Sequence, residues 1–268
     1  MKGRTIIITG ASSGIGKALS MELGAAGARV VMGARQAEGL RAMQETFAAH
    51  GWEGLTLQTD VSVETDCQRL VQAAVEAYGG VDVLINNAGI SMRALFDGID
   101  LKVLRRLMDV NYWGTVYCSY YALPHLLKSK GSLVGISSIA GFKGLPGRTG
   151  YSSSKFAMHG FLEVVRMENR RNGLHVLLAC PGFTASNIRN TALGADGQVQ
   201  GESPRDEARM MSAEEVARHV IRAIEMRKRT LVLTTQGKFT VLMNKFFPAF
   251  MDKMVYNHMA KEPGSPFQ

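Results

Sequence analysis

The stretch RTIIITGASSGIG, residues 4–16, joins an apolar, β-branched run to a turn rich in glycine. Residues 4–9 suit a strand covered on both faces. Gly10, Gly14 and Gly16 follow, where the chain must turn tightly and let another group approach its backbone. A helix-period segment over residues 14–26 comes next. Strand, glycine turn and helix make one unit of a doubly wound fold, provided that the unit repeats.

It does repeat. Apolar runs at 29–34, 55–60, 81–86, 132–137, 174–180 and 230–235 alternate with helix-period segments at 37–49 and 63–78, from the turn after 86 to about 128, and around Tyr151. The runs are almost continuously apolar rather than alternating, as in strands buried on both faces. The pattern predicts an α/β fold: a Rossmann-type doubly wound parallel sheet of about seven strands. Residues 1–237 form this dinucleotide-binding and catalytic domain, and 238–268 form a C-terminal amphipathic extension. Residues 184–211 follow the sixth strand without regular pattern and read as a lid over the carboxyl edge. Ser212 with Glu215 forms a capping box for the helix after it.

Composition narrows the function classes. The chain has 268 residues, 46% of them hydrophobic, enough for one sizeable core. No long charge-free apolar run suggests a membrane span, and the first residues do not read as a signal peptide. Cys67, Cys118 and Cys180 are widely spaced, and the six histidines lack ligand spacing. Reduced thiols in a cytoplasmic protein without a metal site are expected. The net charge of +8 fits a solvated basic surface, an anionic cofactor or an anionic membrane face. Nucleic acid ranks lowest, because no aromatic-interleaved basic stripe is present.

The glycine turn, placed after the first strand of such a series, fits a dinucleotide pyrophosphate. The helix behind it aims its N-terminal amides at the anion. The spacing is G-x3-G-x-G rather than G-x-G-x-x-G. The second strand ends in Ala34 and Arg35. No carboxylate stands there to repel a 2′-phosphate, and a guanidinium stands next to it to pair with one, so NADP(H) is favoured over NAD(H). Asp60 and Val61, ending the third strand, are expected near the adenine.

TGASSGIG (9–16), NNAG (86–89), Asn111, Ser138, YSSSK (151–155) and PG (181–182) occur in one order and spacing. In these motifs the chain resembles the short-chain dehydrogenase/reductase family over residues 3–235. The resemblance implies a catalytic four of Asn111, Ser138, Tyr151 and Lys155, and Asn111 holding a water that links Lys155 to solvent. It implies a cofactor site built from Gly10, Ser12, Ser13, Gly14, Ile15 and Gly16, then Arg35, Asp60 and Val61. Asn87, Ala88 and Gly89, with Tyr151 and Lys155, continue it, and Pro181, Gly182, Thr184 and Ser186 complete it. Many NADP-preferring members carry a basic residue where Ser13 stands, and many members a threonine where Ser186 stands. A homodimer or homotetramer is also implied.

The chemistry of YSSSK is also readable from the residues. Tyr151 and Lys155, four apart, share a helical face. A phenol normally titrates near ~10, too high for easy proton exchange at neutrality. A neighbouring ammonium, together with the positive charge of oxidised nicotinamide, is expected to lower it. Tyr151 then gives a proton to a carbonyl oxygen as hydride reaches carbon, and Ser138 hydrogen-bonds that oxygen. The expected activity is NADPH-dependent carbonyl reduction, reversible as alcohol dehydrogenation. The rival is a non-catalytic NADP sensor on the same fold. The subgroup resembled is related to steroid and retinoid reductases, which implies a lipophilic ketone. His159, and Tyr112, Trp113, Tyr117, Tyr120 and Tyr121 after Asn111, read as packing residues.

The segment 238–260 carries Phe239, Leu242, Met243, Phe246, Phe247, Phe250, Met251, Met254, Val255 and Met259 at helical steps. Pro248 should kink it or begin a second helix. Three destinations stay open for such a stripe: the protein's own core or subunit interface, the mouth of the substrate pocket, or a membrane surface.

Overall fold

The computed structural model describes residues 1–184, 188–201 and 210–267. The strands are β1 (Thr5–Thr9), β2 (Arg29–Ala34), β3 (Gly54–Gln58), β4 (Val83–Asn86), β5 (Ser132–Ile136), β6 (His175–Cys180) and β7 (Thr230–Val232). They form one seven-stranded sheet in the order β3-β2-β1-β4-β5-β6-β7. Every pair is parallel. The order reverses direction at β1 and β4, so a crevice opens beyond the carboxyl ends of those two strands.

The helices are α1 (Gly14–Ala25), α2 (Ala37–His50), α3 (Glu64–Tyr78), α4 (Leu101–Met108), α5 (Gly114–Lys128), α6 (Thr149–Glu168), α7 (Ala213–Glu225), α8 (Thr235–Phe246) and α9 (Pro248–Ala260). Strand residues alternate between two cores, as period two requires. Ile6 and Ile8 face Leu19, Leu23, Phe47 and Val220 on the α1, α2 and α7 side. Ile7 faces the opposite core with Leu70, Cys118, Leu126 and Leu162 from α3, α5 and α6. Both layers exclude water, which explains the unbroken apolar runs. Gly51 and Gly79, with φ of 65° and 80°, end α2 and α3 in the left-handed conformation. The capping box of Ser212 and Glu215 is formed.

Three local features differ from the expectation. β3 ends at Gln58, so Asp60 and Val61 lie in the loop beyond it. Asp60 accepts from the Ser62 N–H and hydroxyl, an Asx turn that ends the ladder. β7 stops at Val232 because Thr234 takes φ 62° and ψ 145°, a strained conformation for a β-branched residue. Its hydroxyl accepts from Gly237 N–H and so starts α8. The helical pattern before residue 128 is broken by a π turn at Asp109–Trp113, which holds Asn111. The tail divides at Pro248, as expected. Pro248 occupies the first turn of α9, where its missing N–H costs nothing. Met251 and Met259 are buried, whereas Phe239, Leu242, Phe246, Phe247, Phe250 and Met254 are exposed. No helix among the described residues is long and apolar enough to cross a membrane.

Candidate active site

A cleft of about 570 Å³ runs along the carboxyl ends of the central strands. Gly10, Ser12, Ser13, Gly14 and Ile15 line it after β1, Arg35 after β2, Asp60 and Val61 after β3, and Asn87, Ala88 and Gly89 after β4. Ser138 lines it after β5, Tyr151 and Lys155 from α6, and Pro181, Gly182 and Thr184 after β6. Ser186 lies outside the described residues. Gly16 and Asn111 stand behind the wall rather than in it.

Gly10 and Gly14 have φ of 65° and 51°, which glycine alone adopts cheaply. Gly16 is required by contact. A Cβ there would lie 2.2 Å from the Gly10 carbonyl oxygen and 2.5 Å from Asn87 Nδ2. Asn87 braces the turn, donating through Nδ2 to the carbonyls of Thr9 (2.9 Å) and Gly10 (3.2 Å). The Thr9 hydroxyl accepts from Asn87 N–H and Ala88 N–H, each at 3.0 Å. No side chain caps α1, so its first amides point into the cleft uncapped. This cradle fits a pyrophosphate.

Arg35 is exposed at the cleft edge. Arg106 of α4 lines the same end and pairs with Asp60 at 3.5 Å. Burial pushes the Asp60 carboxyl up, but the Ser62 hydrogen bonds and the nearby Arg106 and Arg35 charges outweigh it and hold the group below its usual range. Nothing in the local sequence distinguishes Arg106 from a solvated helix residue.

At the other end Tyr151 and Lys155 share a face of α6, as their spacing requires, and Lys155 Nζ lies 5.8 Å from the phenol ring centre. Lys155 is 3% exposed and donates to the Ile136 carbonyl at 3.0 Å. Burial lowers its pKa to about 8. Burial also raises the Tyr151 phenol, against the lowering effects of Ser138, Arg148 and Arg189. The expected lowering by Lys155 is therefore not what the chain's own groups produce. Burial disfavours the charged form of both side chains, and for Tyr151 that keeps the proton in place. Ser138 Oγ accepts from Ala140 N–H at 3.1 Å, which leaves its proton to donate into the cleft.

Asn111 is fully buried. Its Oδ1 accepts from Ile90 N–H at 2.8 Å, and its Nδ2 donates to the Ile90 carbonyl at 3.0 Å and to Ser154 Oγ at 2.9 Å. The side chain ties the loop after β4 to α6, one residue before Lys155.

His159, one turn beyond Lys155, is a packed residue, as expected. Its Nε2 shares a hydrogen bond with Ser137 Oγ at 2.7 Å. Burial, then the Lys155 charge, lower its pKa to about 4, so the ring is neutral at physiological pH. Arg148, Arg189, Met259 and Glu262 also line the Tyr151 end of the cleft. They lie outside every motif, and only the fold brings them there.

The family model described as short chain dehydrogenase matches residues 4–195. Among curated proteins, "11-beta-hydroxysteroid dehydrogenase A" of Arachis hypogaea is 32% identical over 272 residues, covering 98% of this chain and 78% of that protein. "Dehydrogenase/reductase SDR family member 7B" of Bos taurus is 32% identical over 270 residues, covering 98% and 83%. Among solved structures, a short chain dehydrogenase/reductase SDR from Burkholderia phymatum in complex with NAD superposes with a TM-score of 0.83 at 24% identity. It covers 93% of this chain and 95% of its own. That likeness concerns the fold.

Proposed function

We infer that this chain, which belongs to the short-chain dehydrogenase family and is an oxidoreductase, is an NADPH-dependent reductase of lipophilic ketones, reversible as an alcohol dehydrogenase. The observation that carries the inference is the continuity of one cleft from the glycine cradle to Tyr151, Ser138 and Lys155. Bound NADPH supplies the hydride. The cradle and the first amides of α1 would hold its pyrophosphate, and Lys155 its nicotinamide ribose. Ser138 donates to the carbonyl oxygen of the substrate and orients it toward Tyr151. Tyr151, kept protonated by burial, gives its proton to that oxygen as charge develops there.

The lipophilic substrate class draws on three features. The Tyr151 end of the cleft includes Leu145, Phe183, Ile188, Leu193 and Met259. The exposed Phe and Met residues of α8 and α9 lie on the segment that delivers Met259. The curated relatives named above include one named as a hydroxysteroid dehydrogenase. A panel running from cyclohexanone to cortisone, followed by NADPH consumption, tests this class. Bulky apolar ketones should give the higher kcat/KM. Tight NADPH binding without turnover of any carbonyl would instead indicate a sensor.

Arg35 supports NADPH as the cofactor. A charge-assisted contact to the 2′-phosphate contributes roughly 1.5–3 kcal/mol. Arg35→Ala should therefore weaken NADPH by about ten- to a hundredfold and leave NADH little changed, as read by fluorescence titration. Equal losses for both cofactors would make Arg35 a structural residue.

A further inference from the structure

Beyond α9 the chain turns back over the mouth of the site. Glu262 N–H donates to the Met259 carbonyl at 3.2 Å, and Ser265 N–H to the Glu262 carbonyl at 3.0 Å. The Pro263 carbonyl accepts from Arg93 Nη2. Pro266 and Phe267 lie over Gly147, where an added Cβ would meet them at 3.4 and 3.5 Å. Phe267 also packs on Tyr256, with ring centres 5.3 Å apart. Within this hook Glu262 is only 6% exposed.

Its carboxylate is held by Arg148 Nη2 at 3.4 Å, and the Arg148 side chain is 12% exposed. Arg148 directly precedes α6, three residues before Tyr151. Glu262 and Met259 line the cleft together with Tyr151. A buried ion pair is poor evidence for added stability, but it can hold two segments in one arrangement.

We propose that the Arg148–Glu262 ion pair is a latch that seats residues 259–267 as the outer wall of the substrate end of the cleft, and that Glu262 is thereby a specificity-determining residue for bulky ketones. This rests on the cleft being the substrate site proposed above. A small ketone held between Ser138 and Tyr151 has little surface to set against this wall, whereas a polycyclic ketone has more and should lose apolar contact when the latch opens. Arg93 and the packing of Phe267 hold the far side of the hook, so breaking the ion pair loosens the wall without unfolding α6.

Glu262→Gln, Glu262→Arg, Arg148→Glu and the charge-swapped Arg148→Glu/Glu262→Arg protein test this in the full chain with saturating NADPH. Each single variant should raise the ratio of KM for cortisone to KM for cyclohexanone by roughly tenfold. The swap should bring the ratio back to within about threefold of wild type, which a merely structural lesion would not do. Hydrogen exchange of the 259–267 amides, measured on the NADPH complex, gives a readout independent of turnover. It should accelerate in the single variants and slow again in the swap. Failure of the wild type to reduce any ketone, with exchange behaving as stated, would remove the substrate reading and keep the latch. Unchanged exchange in Glu262→Gln, or no recovery in a folded swap, would overturn the latch.

Discussion

Tyr151→Phe is expected to lower ketone reduction by about 10²- to 10⁴-fold, the range of general acid catalysis, with NADPH affinity nearly unchanged. The substitution removes one oxygen and keeps the ring. Tyr151 packs against the cluster of Met92, Ala94, Val103 and Leu107, and phenylalanine keeps the same ring there. The loss should therefore fall on kcat rather than on folding or cofactor binding. Burial raises the wild-type phenol, so reduction should persist through neutral pH and fail only as the hydroxyl ionises at higher pH. If the phenylalanine variant keeps most of its activity on a true substrate, the proton comes from elsewhere.

Lys155→Met should damage both steps, with weaker NADPH binding and lower turnover, because the ammonium lies beside the phenol and would hold the cofactor ribose in the proposed reading. Its stability signature separates this from misfolding. The folded pKa is about 8 against an ordinary value of 10.5. Below pH 8 the lysine is charged in both folded and unfolded chains, and its burial cost is present in full. Between pH 8 and 10.5 the unfolded chain binds the extra proton, so the folded state gains stability as pH rises through that window. In cofactor-free protein, wild type should therefore gain on Lys155→Met in thermal unfolding as pH rises from about 8 to 10.5. A stability difference independent of pH across that window would mean that folded and unfolded chains hold the same protons there, so that burial does not lower the Lys155 pKa.

Local sequence made the sheet legible because its cause is local. Runs such as Ile6–Ile8 are apolar on every residue, and only a strand covered by helices on both faces hides them all. The glycine turn was legible for a similar reason, since Gly10, Gly14 and Gly16 each meet a conformational or contact demand within a few residues or across one strand. The spacing of Tyr151 and Lys155 fixed their shared face. What the sequence did not disclose depends on distant partners. The π turn at Asn111 is tied to Ile90 and Ser154 across the fold. The Tyr151 phenol is governed by burial, which spacing cannot report. The restart at Pro248 was legible, but which positions of the stripe meet the interior was not, because Phe247 takes φ −133° and ψ 62° between the two helices. The stripe therefore contributes Met251 and Met259 to the interior and leaves all four of its phenylalanines outside. Arg148 and Glu262 are 114 residues apart and acquire a relation only when α6 and the hook meet.

The measurement closest to the central claim is label transfer. Protein is incubated with a bulky ketone and NADPH deuterated at the transferable hydrogen, and the alcohol formed is analysed by mass spectrometry and NMR. One deuterium on the carbinol carbon, abolished in step with turnover by Tyr151→Phe, is the predicted result. Tight binding of NADPH with no labelled alcohol from any ketone in the panel would contradict it.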